Sequence, residues 1–275
     1  MENTKNKIMY SFDKKASSYD QYSLVQKEVA QRLCDRLSSI KINPMSILDI
    51  GCGTGYLSDM LFRLYPDANI TCLDISFNML EESYKKNGNL NCILSDAESM
   101  PFKNNKFDLI ISSFTLHWCD EIEKIFFDTH RFLKDKGLFL FTTVGPNTLD
   151  ELETAFSQAI DAEKHVNYFS DMHAYGDLLL KFGFHDPVMD TERIIIEYNT
   201  FKDVLDSLKK TGANIVRDSN PSYTSKNSYQ KLSNAYPTNQ SNDRYPVTYE
   251  MIYGIAWKNL ENTDENTEVI PIKKI

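Results

Sequence analysis

The feature that most constrains this chain is the run Ile47-Leu48-Asp49-Ile50-Gly51-Cys52-Gly53-Thr54-Gly55. Strand-compatible residues pass directly into three alternating glycines, and an amphipathic segment from Tyr56 to Tyr65 follows. The pattern predicts strand, tight turn and helix. A residue without Cβ takes positive φ and lets a ligand approach the backbone, and the helix that opens next offers it unpaired N–H groups. A dinucleotide fingerprint needs G-x-G-x-x-G. Here the third glycine comes one residue early and Tyr56 holds the expected place, which argues against a pyrophosphate site. A second carboxylate, Asp74, closes the next apolar run, Ile70-Thr71-Cys72-Leu73-Asp74. The tip of a neighbouring parallel strand is where a carboxylate reaches a ribose.

Composition narrows the partners. With 275 residues, 41% hydrophobic and 25% charged, the chain has the make-up of an ordinary globular protein with a sizeable core. A net charge of −9 repels nucleic acid and anionic membrane, so neither is expected as a partner. The five cysteines (Cys34, Cys52, Cys72, Cys92 and Cys119) are scattered without C-x-x-C spacing. Reduced thiols are expected, with no disulfide and no metal. No apolar leader and no membrane-length apolar run is present, so a cytoplasmic location is expected.

Along the chain, residues 1–45 read as an N-terminal helical lid, with Phe12 and Tyr19 placed to close over a ligand and a helical spacing at Leu24, Val25, Val29, Leu33 and Leu37. Residues 46–198 read as an α/β core with strands near 46–50, 69–74, 91–95, 107–113 and 137–144, and another at 188–198 on the sheet edge. Residues 199–245 form a helical insertion over the substrate, its first helix ending at Gly212, followed by a final edge strand at 246–259 and a solvated tail at 260–275. The expected fold is a doubly wound, mostly parallel seven-stranded sheet of Rossmann-like type. Ser76 is a good N-cap for the helix carrying Met79, and Asn147 or Thr148 for the helix after the fifth strand. The fourth strand ends in Phe114-Thr115-Leu116-His117-Trp118-Cys119-Asp120, beside the first strand, where ligands of open sheets sit. His117, next to a tryptophan, reads more readily as a packed residue than as a base.

The string Asp49-x-Gly51-x-Gly53-x-Gly55, the carboxylate Asp74 ending the second strand and Asp96 following the third resemble the class I S-adenosylmethionine-dependent methyltransferases. That resemblance implies S-adenosylmethionine as cofactor, bound by Asp49, Gly51, Cys52, Gly53, Gly55, Asp74, Ile75, Met79, Asp96, Ala97 and Ser113. Further strings sharpen it: Phe12 with Ala16-Ser17-Ser18-Tyr19-Asp20 and Gln26, His117-Trp118-Cys119-Asp120, Thr142 to Leu152, Ser207 to Ala213, and Arg244 to Glu250. Together they resemble the malonyl-acyl-carrier-protein O-methyltransferases of biotin synthesis over residues 8–258. Val247, where leucine is common, and the polar insertion depart from that pattern.

The resemblance implies methyl transfer to the free carboxylate of a malonyl thioester carried by an acyl-carrier protein. Such a carboxylate is already ionised at neutral pH, so no base is obligatory and the protein supplies position and exclusion of water. Arg244 and Lys210 are the expected carboxylate-recognising residues, and Tyr19 is expected to orient the substrate or cover the cofactor. Lys181, Arg193, Lys202, Lys209 and Arg217 are expected docking charges for the acidic carrier. Competing readings are a methyltransferase for a quinone, lipid or other small molecule, which would need His117 as base, and a nucleotide-binding dehydrogenase or cofactor-sensing regulator.

Overall fold

A computed structural model describes residues 2–159, 167–211 and 226–258. Two helices, α1 (Glu2–Tyr22) and α2 (Leu24–Ser38), precede β1 (Ser46–Ile50), α3 (Tyr56–Leu64), β2 (Asn69–Asp74), α4 (Phe77–Lys86) and β3 (Asn91–Leu94). The chain continues through β4 (Phe107–Ser113), α5 (Ile122–Phe132), β5 (Leu133–Val144), α6 (Asp150–Ala159), α7 (Met172–Lys181) and β6 (Phe184–Tyr198). It closes with α8 (Phe201–Thr211), α9 (Lys226–Ala235) and β7 (Tyr245–Lys258). Gly212, Arg217 and the tail from 260 lie outside the described residues.

The seven strands form one sheet in the order β3-β2-β1-β4-β5-β7-β6. Helical crossovers make the first five strands parallel, while β7 runs antiparallel to both its neighbours. The last strand is therefore not an edge strand, as its place in the chain suggests; it lies between β5 and β6, and β6 is the edge. Its own residues explain this: Met251, Ile252, Tyr253 and Ala256 are buried, as a strand covered on both sides demands. At Gly254 a Cβ would stand 2.2 Å from the Phe141 ring of β5. β5 and β6 also begin earlier than their apolar runs, at Leu133 directly after α5 and at Phe184 with two residues between it and α7, and each pairs through a register shift.

Alternation along β1 divides the core. Leu48 and Ile50 face a cluster with Ile110, Phe126, Phe132, Phe139 and Phe141 under α5 and α7. Ile47 faces the other cluster, with Val29, Leu33 and Leu37 of α2 and Leu57 and Leu61 of α3. Asp49 shares that second face. The carboxyl ends of β1, β2, β3 and β4 thus come together at the side where the order reverses from β1 to β4.

Candidate active site

The glycine turn is held from several directions. The N–H groups of Gly51 and Cys52 donate to the Leu73 carbonyl at 2.7 and 3.0 Å, and Thr115 Oγ1 donates to the Gly51 carbonyl at 3.1 Å. Asp74 Oδ2 accepts from Gly53 N–H at 2.9 Å, and its other oxygen accepts from Ser76 N–H at 2.8 Å. Ser76 caps α4 through the Met79 N–H, as its position predicts. Gly53 has φ +54°, and a Cβ there would meet nothing within 4 Å, so its bare face borders open space. Gly55, with φ +74°, is different: a Cβ would lie 2.2 Å from Ser83 Oγ, so this glycine serves helix packing.

Asp49 is 1% exposed and accepts from Ser58 Oγ of α3 at 2.6 Å. Burial pushes its carboxyl up to about 7; the Ser58 bond opposes that shift and the charge of Asp74 adds to it. Asp74 is raised too, first by burial, against the pull of its backbone N–H donors.

The third strand leads to Asp96, which accepts from Glu98 N–H at 2.9 Å and from Lys5 Nζ of α1 at 2.7 Å. Lys5 also pairs with Glu98. Burial lowers the Lys5 pKa, but the bonds to the two carboxylates outweigh it and the net shift is upward. Glu98 is held below its ordinary value by Lys5 and by the N–H groups of Glu121 and Asp120, which outweigh its burial. Two further clasps fix α1. Asp13 accepts from Ser76 Oγ and Asn78 N–H, both at 2.9 Å, and Asp20 accepts from Thr54 Oγ1 at 2.6 Å and Lys86 Nζ at 2.7 Å. α1 therefore lies across the glycine turn, tied to the ends of all three strands.

At the end of β4, Ser113 Oγ lies 3.2 Å from Thr142 Oγ1, and Phe114 takes φ +57° while its N–H bonds to Thr142. A left-handed aromatic residue is strained by about 1 kcal/mol or more. The strain turns this loop over the sheet, where Trp118 meets Phe12 edge-on at 5.6 Å and Phe12 meets Tyr19 at 6.3 Å. The His117 ring packs among Phe114, Trp118 and Phe169 and does not line the cavity.

The cavity these elements enclose measures about 1130 Å³ counted to its open mouth. Its wall brings together Tyr19, Asp49, Gly51, Cys52, Gly53, Asp74, Ile75, Met79, Asp96, Ala97 and Ser113. Gly55, Lys210 and Arg244 are not in that wall. Lys210 is exposed, with Nζ 4.1 Å from the Tyr22 ring centre. Arg244 sits on the exposed turn before β7, where its charge acts on Glu197 of β6. Five carboxylates (Asp20, Asp49, Asp74, Asp96 and Glu98) face the cavity against two ammonium groups, Lys5 and Lys27. That excess and the bare face of Gly53 fit a ligand with cationic groups that lies close against the backbone. Reading the sequence alone misses Lys5, Thr54 and Glu98. Lys5 has no signal there, since one lysine in a polar helix is ordinary surface.

The comparisons agree with this architecture. Residues 48–141 match the model of a family described as a methyltransferase domain. The malonyl-[acyl-carrier protein] O-methyltransferase of Legionella pneumophila is 39% identical, the alignment covering 98% of this chain and 97% of the relative. The protein of Coxiella burnetii named malonyl-[acyl-carrier protein] O-methyltransferase 1 is 35% identical, over 98% and 95%. The chain belongs to the malonyl-[acyl-carrier protein] O-methyltransferase family. Among solved structures, the YcgJ protein of Bacillus subtilis superposes with a TM-score of 0.60 at 20% identity, covering 84% of this chain and 99% of that one. A Haemonchus contortus phosphoethanolamine N-methyltransferase in complex with S-adenosyl-L-methionine superposes with a TM-score of 0.56 at 20% identity, covering 90% and 57%. These likenesses share the fold.

The strings Thr142 to Leu152 and Arg244 to Glu250, on which the resemblance rests, are hydrogen-bonded to each other. Glu250 accepts from the Asn147 N–H at 2.8 Å and Nδ2 at 2.9 Å, and Thr248 N–H donates to Glu151 at 3.0 Å. Asn147 and Thr148 thus tie the loop to β7 instead of capping α6.

Proposed function

We propose that the cavity holds S-adenosylmethionine and that the protein transfers its methyl group to the free carboxylate of a malonyl thioester on an acyl-carrier protein. The reading is carried by one coincidence: the acidic cavity wraps the glycine turn at the switch point of the sheet, in a chain that aligns along its whole length with enzymes named for that reaction. Asp74 would hold the ribose hydroxyls, and Asp96 and Ala97, with Ile75 and Met79, the adenine. Gly51, Cys52, Gly53 and Asp49 would hold the amino-acid end beside Ser113. When bound, the cofactor supplies an electrophilic methyl on a sulfonium.

What the protein adds is placement. A malonyl carboxylate is ionised near neutral pH, so no side chain has to remove a proton. Tyr19 stays a neutral phenol, because burial and the charges of Asp74 and Asp20 all raise its pKa, and it can donate a hydrogen bond to an anion without competing as a nucleophile. Phe12 and Trp118 exclude water from the mouth, and residues 1–45 act as the lid. Holding the reacting atoms in line contributes roughly 7–11 kcal/mol to such a transfer. The ester masks the malonyl charge and so provides an apolar starter for a pimeloyl chain in cytoplasmic biotin synthesis.

The test is transfer of a labelled methyl group to malonyl-carrier and to malonyl-coenzyme A. Label in the carrier fraction, released by mild base, is the expected result. Absence of label from both acceptors, with the cofactor bound, would remove the carboxylate assignment.

A further inference from the structure

The net charge of −9 conceals a local inversion on the outside of the lid. Both aspartates of α1 turn inward, Asp13 to Ser76 and Asn78 and Asp20 to Thr54 and Lys86. Lys7 and Lys14 are exposed on the opposite face, with Tyr10, 66% exposed, between them at helical spacing. Lys15 is half-buried toward α8 and bonds Ser11 Oγ at 2.7 Å. Burial lowers its pKa, and the charges of Lys209 and Lys14 lower it further.

α8 contributes through its last turn, where Lys209 and Lys210 are exposed and Lys210 covers Tyr22 of α1. Of its two carboxylates, Asp203 is bonded to Thr200 at the other end, and Asp206 is half-buried one turn before Lys209. Other basic groups are neutralised: Lys181 pairs with Glu123, and Arg32 and Arg36 pair with Glu192 and Asp190. The inner face of α1 lines the cavity, so Lys7 and Lys14 on its outer face lie about one helix diameter, ~10 Å, from the cavity wall.

We propose that the outer face of α1 and the last turn of α8 form the docking surface for the acidic carrier protein, with Lys7 and Lys14 beside Tyr10 on α1 and Lys15, Lys209 and Lys210 along the contact of α1 with α8. The proposal rests on the function given above and identifies where its protein substrate lands. An acidic partner meets opposite charge on this surface, and the surface backs onto the cavity its acyl arm must enter. Rim charges of this kind set encounter rate and salt dependence.

The experiment measures affinity for fluorescently labelled malonyl-carrier by anisotropy, at low and high salt, for the wild type and for K7E, K14E and K209E singly and combined. K181E serves as the remote control. The combined variant is expected to lose about tenfold or more in affinity, and most of the salt dependence, with K181E within about twofold of wild type. Turnover of malonyl-pantetheine, melting temperature and S-adenosylmethionine affinity should stay unchanged. Reversing acidic residues on the carrier to lysine should restore binding to the combined variant. Undiminished carrier affinity, equal loss with both acceptors, or reversals that lose binding to anionic vesicles while keeping the carrier would overturn the surface. A wild type that neither binds nor methylates malonyl-carrier would instead remove the proposed function itself.

Discussion

The glycine turn and the turn before β7 both carry residues that the sequence marks for ligand binding, yet only the first lines the cavity. Around the turn, each side chain is set by the element it ends: Asp49 by the alternation of β1, Asp74 by the tip of β2 and Asp96 by the loop after β3. Each also bonds a backbone or side-chain group close by in the chain, and the three converge on one space. Arg244 lies in an exposed turn and acts on Glu197, whose pKa is lowered first by Asn239 and Asn242 and then by the arginine. A cavity-lining residue can be recognised where strand ends dictate its direction, whereas an arginine in a long connection takes whichever carboxylate folding brings near.

The largest effect should come from Asp74→Ala. It removes the acceptor that holds Gly53 N–H and Ser76 N–H as well as the proposed ribose contact, so calorimetry should show S-adenosylmethionine affinity falling by about a hundredfold or more. Affinity within twofold of wild type would break the contrast at its strong side.

Asp49 gives a smaller and pH-dependent effect. Its carboxyl stays protonated up to about 7 in the ligand-free fold, whereas the ordinary value is 3.8. The folded state therefore binds more protons between those values, and its stabilising contribution, complete below about 4, is lost as pH rises through about 7. Asp49→Asn should make the ligand-free protein more stable than wild type at pH 8, by an amount no larger than roughly 4 kcal/mol, and the difference should vanish near pH 4. A cationic ligand favours the ionised form, so wild-type affinity should rise from pH 6 to 8 and that of the variant should not. A flat wild-type profile in both measurements would show that Asp49 does not titrate there.

The smallest effect is expected at Arg244→Ala, with turnover on malonyl-carrier within about threefold of wild type, since the side chain is exposed and stands outside the cavity wall. A hundredfold loss would return Arg244 to the substrate and dissolve the contrast.

Much of the fold is legible because its signals are local. The run into Gly51, the carboxylate at Asp74 and the cap at Ser76 each follow from neighbours in the chain, and the structure has them where that reading puts them. The position of β7 is not local: periodicity identifies Tyr245–Lys258 as a strand but does not say which strands it joins. One clue was present, the nearly continuous apolar run from Met251 to Trp257, which an edge strand with one wet face does not need. The clasp of Lys5 on Asp96 and Glu98 was beyond reach, since it spans more than 90 residues and depends on how α1 crosses the sheet.

The central claim is that the space beneath α1 receives the sulfonium donor, and a crystal structure with S-adenosylhomocysteine tests it most directly. The expected density places the ribose hydroxyls on Asp74, the adenine beside Asp96 and Ala97, and the amino-acid end against Gly51 to Gly53. Density elsewhere on the protein, with that space closed by its own side chains, would contradict the account.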